Sequence, residues 1–334
     1  MDMPEEQREL QAQTTAPAGA LGDATQPIAQ AQTLTKHLLA VLRAVRPRQW
    51  PKNLIVFMAL VFSIDDKWQL SEPSSWFDLL AWTALAFLLF CLVSSADYLV
   101  NDVVDREHDR QHPRKRKRPI AAGELSVRAA LIWAFALAAV AIGGAFAITW
   151  SVGAVISGYL ALMLAYTFWL KHIVLLDMMV IGAGFVLRAM AGGLAIDVPI
   201  SPWLYVVTAL GALFLVINKR SAEIKLLKEG SASHRPILEE YSAELLAQIG
   251  ALVTASTLIA YGLYTFTAEN LPDNNSMMLT IPFVLYGLLR YLYLVDKHDE
   301  GGSPEEVLLR DRPLQVDILL WVATAATVLV VFRD

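Results

Sequence analysis

The chain has 334 residues, 56% of them hydrophobic and 18% charged, with a mean hydropathy of +0.46. Apolar residues in that amount, gathered into runs of about 20, exclude a soluble domain and point to an all-α polytopic membrane protein. The net charge of −5 excludes little, because charge is sorted by loop, but the single cysteine, Cys91, sits in an apolar run and excludes a disulfide framework or a thiol metal site.

Residues 1–33 are rich in Ala, Gln, Thr and Pro and lack the n-region and h-region of a signal peptide, so they read as a disordered cytosolic tail. Residues 34–334 read as one membrane domain without tandem repeats. Nine spans are predicted. The first, 53–64, is short and can extend toward Thr35 only through a Pro-interrupted segment. The others are 76–100, 127–148, 150–170, 173–195, 202–218, 242–266, 278–296 and 314–332. With that division, 23 of the 27 Lys and Arg residues fall on one side. The positive-inside rule makes that side, and the N-terminus with it, cytosolic.

The second span ends in N-D-V-V-D-R-E-H-D. Steps of three and four residues place Asp102, Asp105 and Asp109 on one helical stripe beside Asn101. Carboxylates this close repel one another unless a cation lies among them or some are protonated. Mg²⁺, a hard oxygen-liganded ion that usually arrives with a phosphate, would resolve the repulsion. The plain alternative is a solvated helix end, but ionisable groups at a membrane boundary are usually functional. The loop that follows carries five consecutive cations, Arg114 to Arg118, which serve as a topology signal, a patch for anionic membrane lipids, or a grip on substrate phosphates. Pro119 and Gly123 would bend this loop back over the membrane mouth.

Tyr166, Lys171 and Asp177 surround the next cytosolic boundary. Arg188 follows Asp177 by eleven residues, about three helical turns, so the two should share a face. An arginine that deep needs an intramembrane acid or carbonyl, or a phosphate in a polar cavity. Asn218, Lys219, Arg220 and Glu223 close the sixth span, as a basic flank or as a second polar cluster. Arg290 stands apart and reads as structural. Gly182, Gly184, Ala189, Ala191, Gly192 and Gly193 in the fifth span would let helices approach closely.

Three of these patterns together resemble the UbiA-type intramembrane prenyltransferases over about residues 40–332: N-D-x-x-D-x-x-x-D, then H-P-x-K-x-x-R-P-x-x-x-G, then Y-x-x-x-L-K from Tyr166 to Lys171. That superfamily's fold is a nine-helix bundle with a cytosol-facing polar cavity. R-P-R-Q-W-P-K-N (Arg46 to Asn53) and the uninterrupted R-P-I-A-A-G resemble the branch that makes decaprenylphosphoryl-5-phosphoribose. So does a departure: the usual second Asp motif near the sixth span is replaced by N-K-R-S-A-E. Its loss puts a second Mg²⁺ in doubt unless Asp177 supplies part of the role, and argues against a prenyl diphosphate donor.

The resemblance implies an Mg²⁺-dependent transfer of 5-phosphoribosyl from 5-phosphoribosyl diphosphate to a polyprenyl phosphate, here decaprenyl phosphate. It implies a catalytic set of Asp102, Asp105 and Asp177, with Asn101, Asp102, Asp105 and Asp109 on the metal. Lys52, Asn53, Arg114, Lys115, Arg118, Tyr166, Lys171, Arg188, Lys219 and Arg220 would bind substrates. It further implies a multi-pass protein of a bacterial plasma membrane, self-association, a product used in arabinan synthesis for the cell wall, and no nucleic-acid partner. Two other readings stand beside it. One is a conventional prenyltransferase with an aromatic or haem acceptor. The other is a transporter or lipid flippase, which fits less well because the charges crowd one face and no inverted repeat is visible.

Overall fold

The computed structural model describes residues 25–332 apart from 65–66, 70–71, 114, 229–235, 270, 299–306 and 308–309. The helices, in chain order, are α1 (Thr25–Ala44), a 3₁₀ segment (Pro47–Phe57), α2 (Met58–Phe62), α3 (Pro73–Val104), α4 (Arg106–Gln111), α5 (Val127–Ile148), α6 (Trp150–Phe168), α7 (Leu176–Ala195), α8 (Pro202–Lys228), α9 (Ala243–Thr267), α10 (Ile281–His298) and α11 (Arg312–Val331). Eight of them, α3 and α5 to α11, are long and apolar enough to cross a membrane. Several start on side-chain caps: Ser126, Thr149, Ser242 and Asp311 each accept a hydrogen bond from the backbone N–H three residues on, at 2.9–3.2 Å.

The first predicted span departs from a continuous α-helix. α1 ends at Ala44, Arg46 takes a left-handed conformation (φ 53°), and the chain continues as 3₁₀ helix before the five residues of α2. Pro47 and Pro51 explain the break, since each lacks a backbone N–H and Pro51 lies inside the segment. α1 begins at Thr25, so residues 25–33, expected as part of the tail, are helical.

The 3₁₀ segment lies against α3 and α7. Trp50 Nε1 donates to Ser95 Oγ at 3.2 Å, and Ser95 Oγ donates to the Val45 carbonyl at 3.0 Å. The crossing with α7 depends on Gly192: a Cβ there would stand 1.9 Å from the Val56 carbonyl oxygen. Behind it an apolar core forms around Val56, Phe90, Ile156 and Tyr159, with the Phe90 and Tyr159 rings meeting edge to face at 5.2 Å. A second core joins α8, α9 and α10 around Phe214, Leu246 and Tyr291. Arg290 pairs with Asp311 at 2.8 Å and ties α10 to the start of α11, which bears out its structural role.

Candidate active site

The end of α3 holds the polar residues expected from the sequence, but divides them. α3 stops at Val104, Asp105 is a turn residue, and Asp109 belongs to the separate helix α4. The single stripe therefore splits in two. On one side, Arg118 bridges Asp102 (2.9 Å) and Asp109 (2.6 Å), while Arg46 donates to the same Asp102 oxygen. On the other, Asp105 accepts from Lys171 at 2.6 Å, and Asn101 Oδ1 accepts from Thr167 at 3.4 Å. Asp102 and Asp109 are buried and Asp105 half-buried.

The basic loop folds back over this end. Gly123 adopts φ 79°, Ile120 and Ala121 are buried, and the Ala121 carbonyl accepts from Arg110 Nε at 3.2 Å. Lys115 lies half-buried in a single 3₁₀ turn, Lys115–Lys117. Arg114 lies outside the described residues.

Deeper in the bundle stands Arg188, about 18 Å along α7 from its first residue. It does not pair with Asp177. Its Nε donates to Asn53 Oδ1 and its Nη2 to the Tyr159 hydroxyl, both at 2.7 Å, and its guanidinium stacks on the rings of Tyr159 (4.7 Å) and Phe185 (5.0 Å). Asn53 is oriented in turn by Ser94, at 3.2 Å from its Nδ2. Arg188 is thus a buried cation held by neutral groups, which suits an anion-binding role. Lys52, beside Asn53 on the 3₁₀ segment, is half-buried.

Asp177 instead belongs to a third cluster. It is fully buried at the start of α7, accepts from Arg220 Nε at 3.2 Å and from the Tyr241 hydroxyl at 2.6 Å. Arg220 also donates to Glu223 at 2.8 Å, and Tyr166 stands within the field of its guanidinium. The Tyr241 oxygen accepts from the backbone N–H of Leu175, a residue with φ 69°. Burial, and then the hydrogen bond to Asp177, push the Tyr241 hydroxyl up to about 12, so it remains a donor at neutral pH. Through Asp177 and Tyr241, Arg220 fastens the turn that follows Lys171. Lys219, one residue earlier, is half-buried.

The sequence alone assigned no site role to Arg46, Tyr159 or Tyr241, nor to Asp97, which is buried in α3. Arg46 figured there as a basic flank of the first span and as the first residue of R-P-R-Q-W-P-K-N. Asp97, an acid inside an apolar run one turn before Asn101, carried a usable signal. Tyr159 and Tyr241 carried none, since nothing local distinguishes them from interfacial or packing tyrosines.

The donor set of Asn101, Asp102, Asp105 and Asp109 is of hard oxygens and suits a divalent cation in its chemistry. Among the described residues, however, no three His, Cys, Asp or Glu side chains converge as a ready-made metal cluster. Here Arg46, Arg118 and Lys171 balance the carboxylates.

An apolar groove of about 410 Å³ is lined by Phe185, on whose ring the Arg188 guanidinium stacks, and by Ile55 of the 3₁₀ segment, and runs between α8, α10 and α11 past Phe214 and Trp321. A larger groove of about 570 Å³ between α8, α9 and α10 contains none of the residues around Arg188.

Comparison with known proteins agrees with this architecture. Residues 68–307 match the model of the UbiA prenyltransferase family. A decaprenyl-phosphate phosphoribosyltransferase of Mycobacterium tuberculosis is 38% identical over 284 residues, covering 85% of this chain and 92% of that protein. The protein of the same name from Corynebacterium glutamicum is 40% identical over 287 residues, 84% of each chain. Among solved structures, a UbiA homolog from Archaeoglobus fulgidus bound to GPP and Mg²⁺ superposes with a TM-score of 0.64 at 19% identity, covering 87% of this chain and all of that one.

Proposed function

The chain belongs to the UbiA prenyltransferase family and is a multi-pass membrane transferase, and from that premise we propose that it moves 5-phosphoribosyl from 5-phosphoribosyl diphosphate to decaprenyl phosphate. The observation that carries this reading is the near full-length likeness to proteins named for that transfer. The site agrees with it. Where a second acidic motif would grip a prenyl diphosphate, Arg220 is locked between Asp177 and Glu223.

In this reading the acceptor's polyprenyl chain lies in the groove beside Phe185, which brings its phosphate to Arg188. One oxygen of that phosphate attacks the anomeric carbon. The C1–O bond to the diphosphate breaks, and diphosphate leaves with the bonding electrons. The acceptor is already anionic at neutral pH, so no strong general base is needed. Asn101, Asp102, Asp105 and Asp109 would hold Mg²⁺, which when bound neutralises charge on the leaving diphosphate. Arg118, Lys115 and Lys171 add cationic charge on the same side, and Lys52, Tyr166 and Lys219 would meet the remaining phosphate. Asn53 fixes the direction of Arg188, and Asp177 acts by positioning, through Arg220 and Tyr241, the turn that follows Lys171. The site faces the cytosol of a bacterial cell, where the donor is available.

The test is direct. Protein purified in detergent is incubated with Mg²⁺, labelled 5-phosphoribosyl diphosphate and decaprenyl phosphate, with a chelator arm as control. Label should enter the lipid fraction and disappear from it when the metal is removed. No labelled lipid, together with turnover of a prenyl diphosphate and an aromatic acid, would replace this reading with conventional prenyl transfer.

A further inference from the structure

From Ser94 to its C-terminal end, α3 carries a series of polar side chains in a fixed order along its axis. Ser94 touches Asn53 and through it Arg188. About one turn nearer the cytosolic end stands Asp97. Then come Asn101 and Asp102, the latter holding Arg46 and Arg118, and finally Asp105 with Lys171. Asp97 thus lies between a deep cation and a group of cations at the mouth, within the fields of Arg188, Arg46 and Lys171.

Each of those cations donates elsewhere: Arg188 to Asn53 and Tyr159, Arg46 to Asp102, Lys171 to Asp105. Asp97 is only 6% exposed, and among the described residues its Oδ1 accepts no hydrogen bond. A buried acceptor without a donor is costly, and a donor arriving with a ligand relieves that cost. A phosphate finds its donors in the flanking cations, and an ionised Asp97 would face it with a charge of its own sign. A prenyl chain cannot be that ligand, because it has no donor. What fits is a part rich in hydroxyl groups, carried between two anionic parts that the flanking cations receive.

We infer that Asp97 accepts hydrogen bonds from the sugar hydroxyls of the donor, its carboxylate facing the neighbouring 2- and 3-hydroxyls of a ribose. The assignment rests on the phosphoribosyl reading and deepens it. The ribose occupies the level of Asp97, between the acceptor phosphate at Arg188 and the leaving diphosphate at Asp102 and Asp105. Asp97 is then the residue that makes the site select a sugar diphosphate over a prenyl diphosphate, since a prenyl group would leave the carboxylate buried against hydrocarbon.

The experiment compares 5-phosphoribosyl diphosphate with its 2-deoxy and 3-deoxy analogues, using the full-length protein, Mg²⁺ and decaprenyl phosphate. The unaltered protein should prefer the ribosyl donor in kcat/KM by about 10- to 100-fold for the hydroxyl removed, the worth of a hydrogen bond to a charged group. In Asp97→Asn that preference should shrink to within about 3-fold, with the Mg²⁺ concentration for half-maximal rate unchanged. Equal use of deoxy and ribosyl donors by the unaltered protein overturns the inference without any variant. So does Asp97→Asn that keeps the original discrimination, or whose change lies in its metal requirement. Absence of ribosyl transfer altogether removes the underlying reading, and the assignment with it. Transfer with unaltered discrimination removes Asp97 alone.

Discussion

Asp105 and Asp102 differ in what their loss should do. Asp105 is 30% exposed and paired with Lys171, so Asp105→Ala should cost under about 1 kcal/mol of stability. Asp102 is 2% exposed and holds two arginines, each still about a quarter exposed. Removing it should cost more, about 1–3 kcal/mol. Thermal unfolding in detergent should therefore rank the variants in that order, while lipid labelling falls to background in both. Retention of most turnover by Asp105→Ala would reduce that residue to a counter-ion for Lys171. At this scale the sequence was informative about residue type and less about pairing. N-D-V-V-D-R-E-H-D announced an acidic site, but the helix break at Asp105 sends Asp102 and Asp109 toward Arg118 and Asp105 toward Lys171. Nothing in a spacing of three and four residues reports that a helix ends midway.

Among the elements, the 3₁₀ segment Pro47–Phe57 was the hardest to read and has the greatest effect on the site. Its hydrophobic run suggested a short span, yet two prolines and the left-handed Arg46 turn it into a strap across α3 and α7. The strap delivers Arg46 to Asp102 and Asn53 to Arg188 from opposite ends. Long-range pairings of this kind cannot be seen in local sequence. The small residues of the fifth span, by contrast, were read for what they do: Gly192 leaves the space through which the strap passes. Gly192→Ala should force the Val56 backbone away, at a cost of about 1–3 kcal/mol from overpacking. It should also impair turnover, as Asn53→Ala should, because both release Arg188 from its oriented position. A Gly192→Ala protein with unaltered melting and unaltered kinetics would show that the strap can shift without moving the arginine.

For the molecule as a whole, the eight long apolar helices alternate their ends, and the ionised clusters all lie at one of those ends. The gathering of charge at one end of the spans was the most legible feature from sequence, because loop composition shows it directly, whereas the first of the nine predicted spans is not among the long apolar helices. The argument yields a test with almost no background. Cys91, the chain's single cysteine, is 1% exposed, so the unaltered protein should not react with a membrane-impermeant maleimide. Lys117→Cys places a thiol in the exposed basic loop beside Arg118, and Trp150→Cys places one at the opposite end, where the native side chain is 78% exposed. If the basic face is cytosolic, Lys117→Cys should label in inside-out vesicles and Trp150→Cys in right-side-out ones. The reverse pattern would put the Asp102 and Arg188 clusters on the external face, away from a cytosolic sugar diphosphate, and would sink the phosphoribosyl reading even with every ion pair in place.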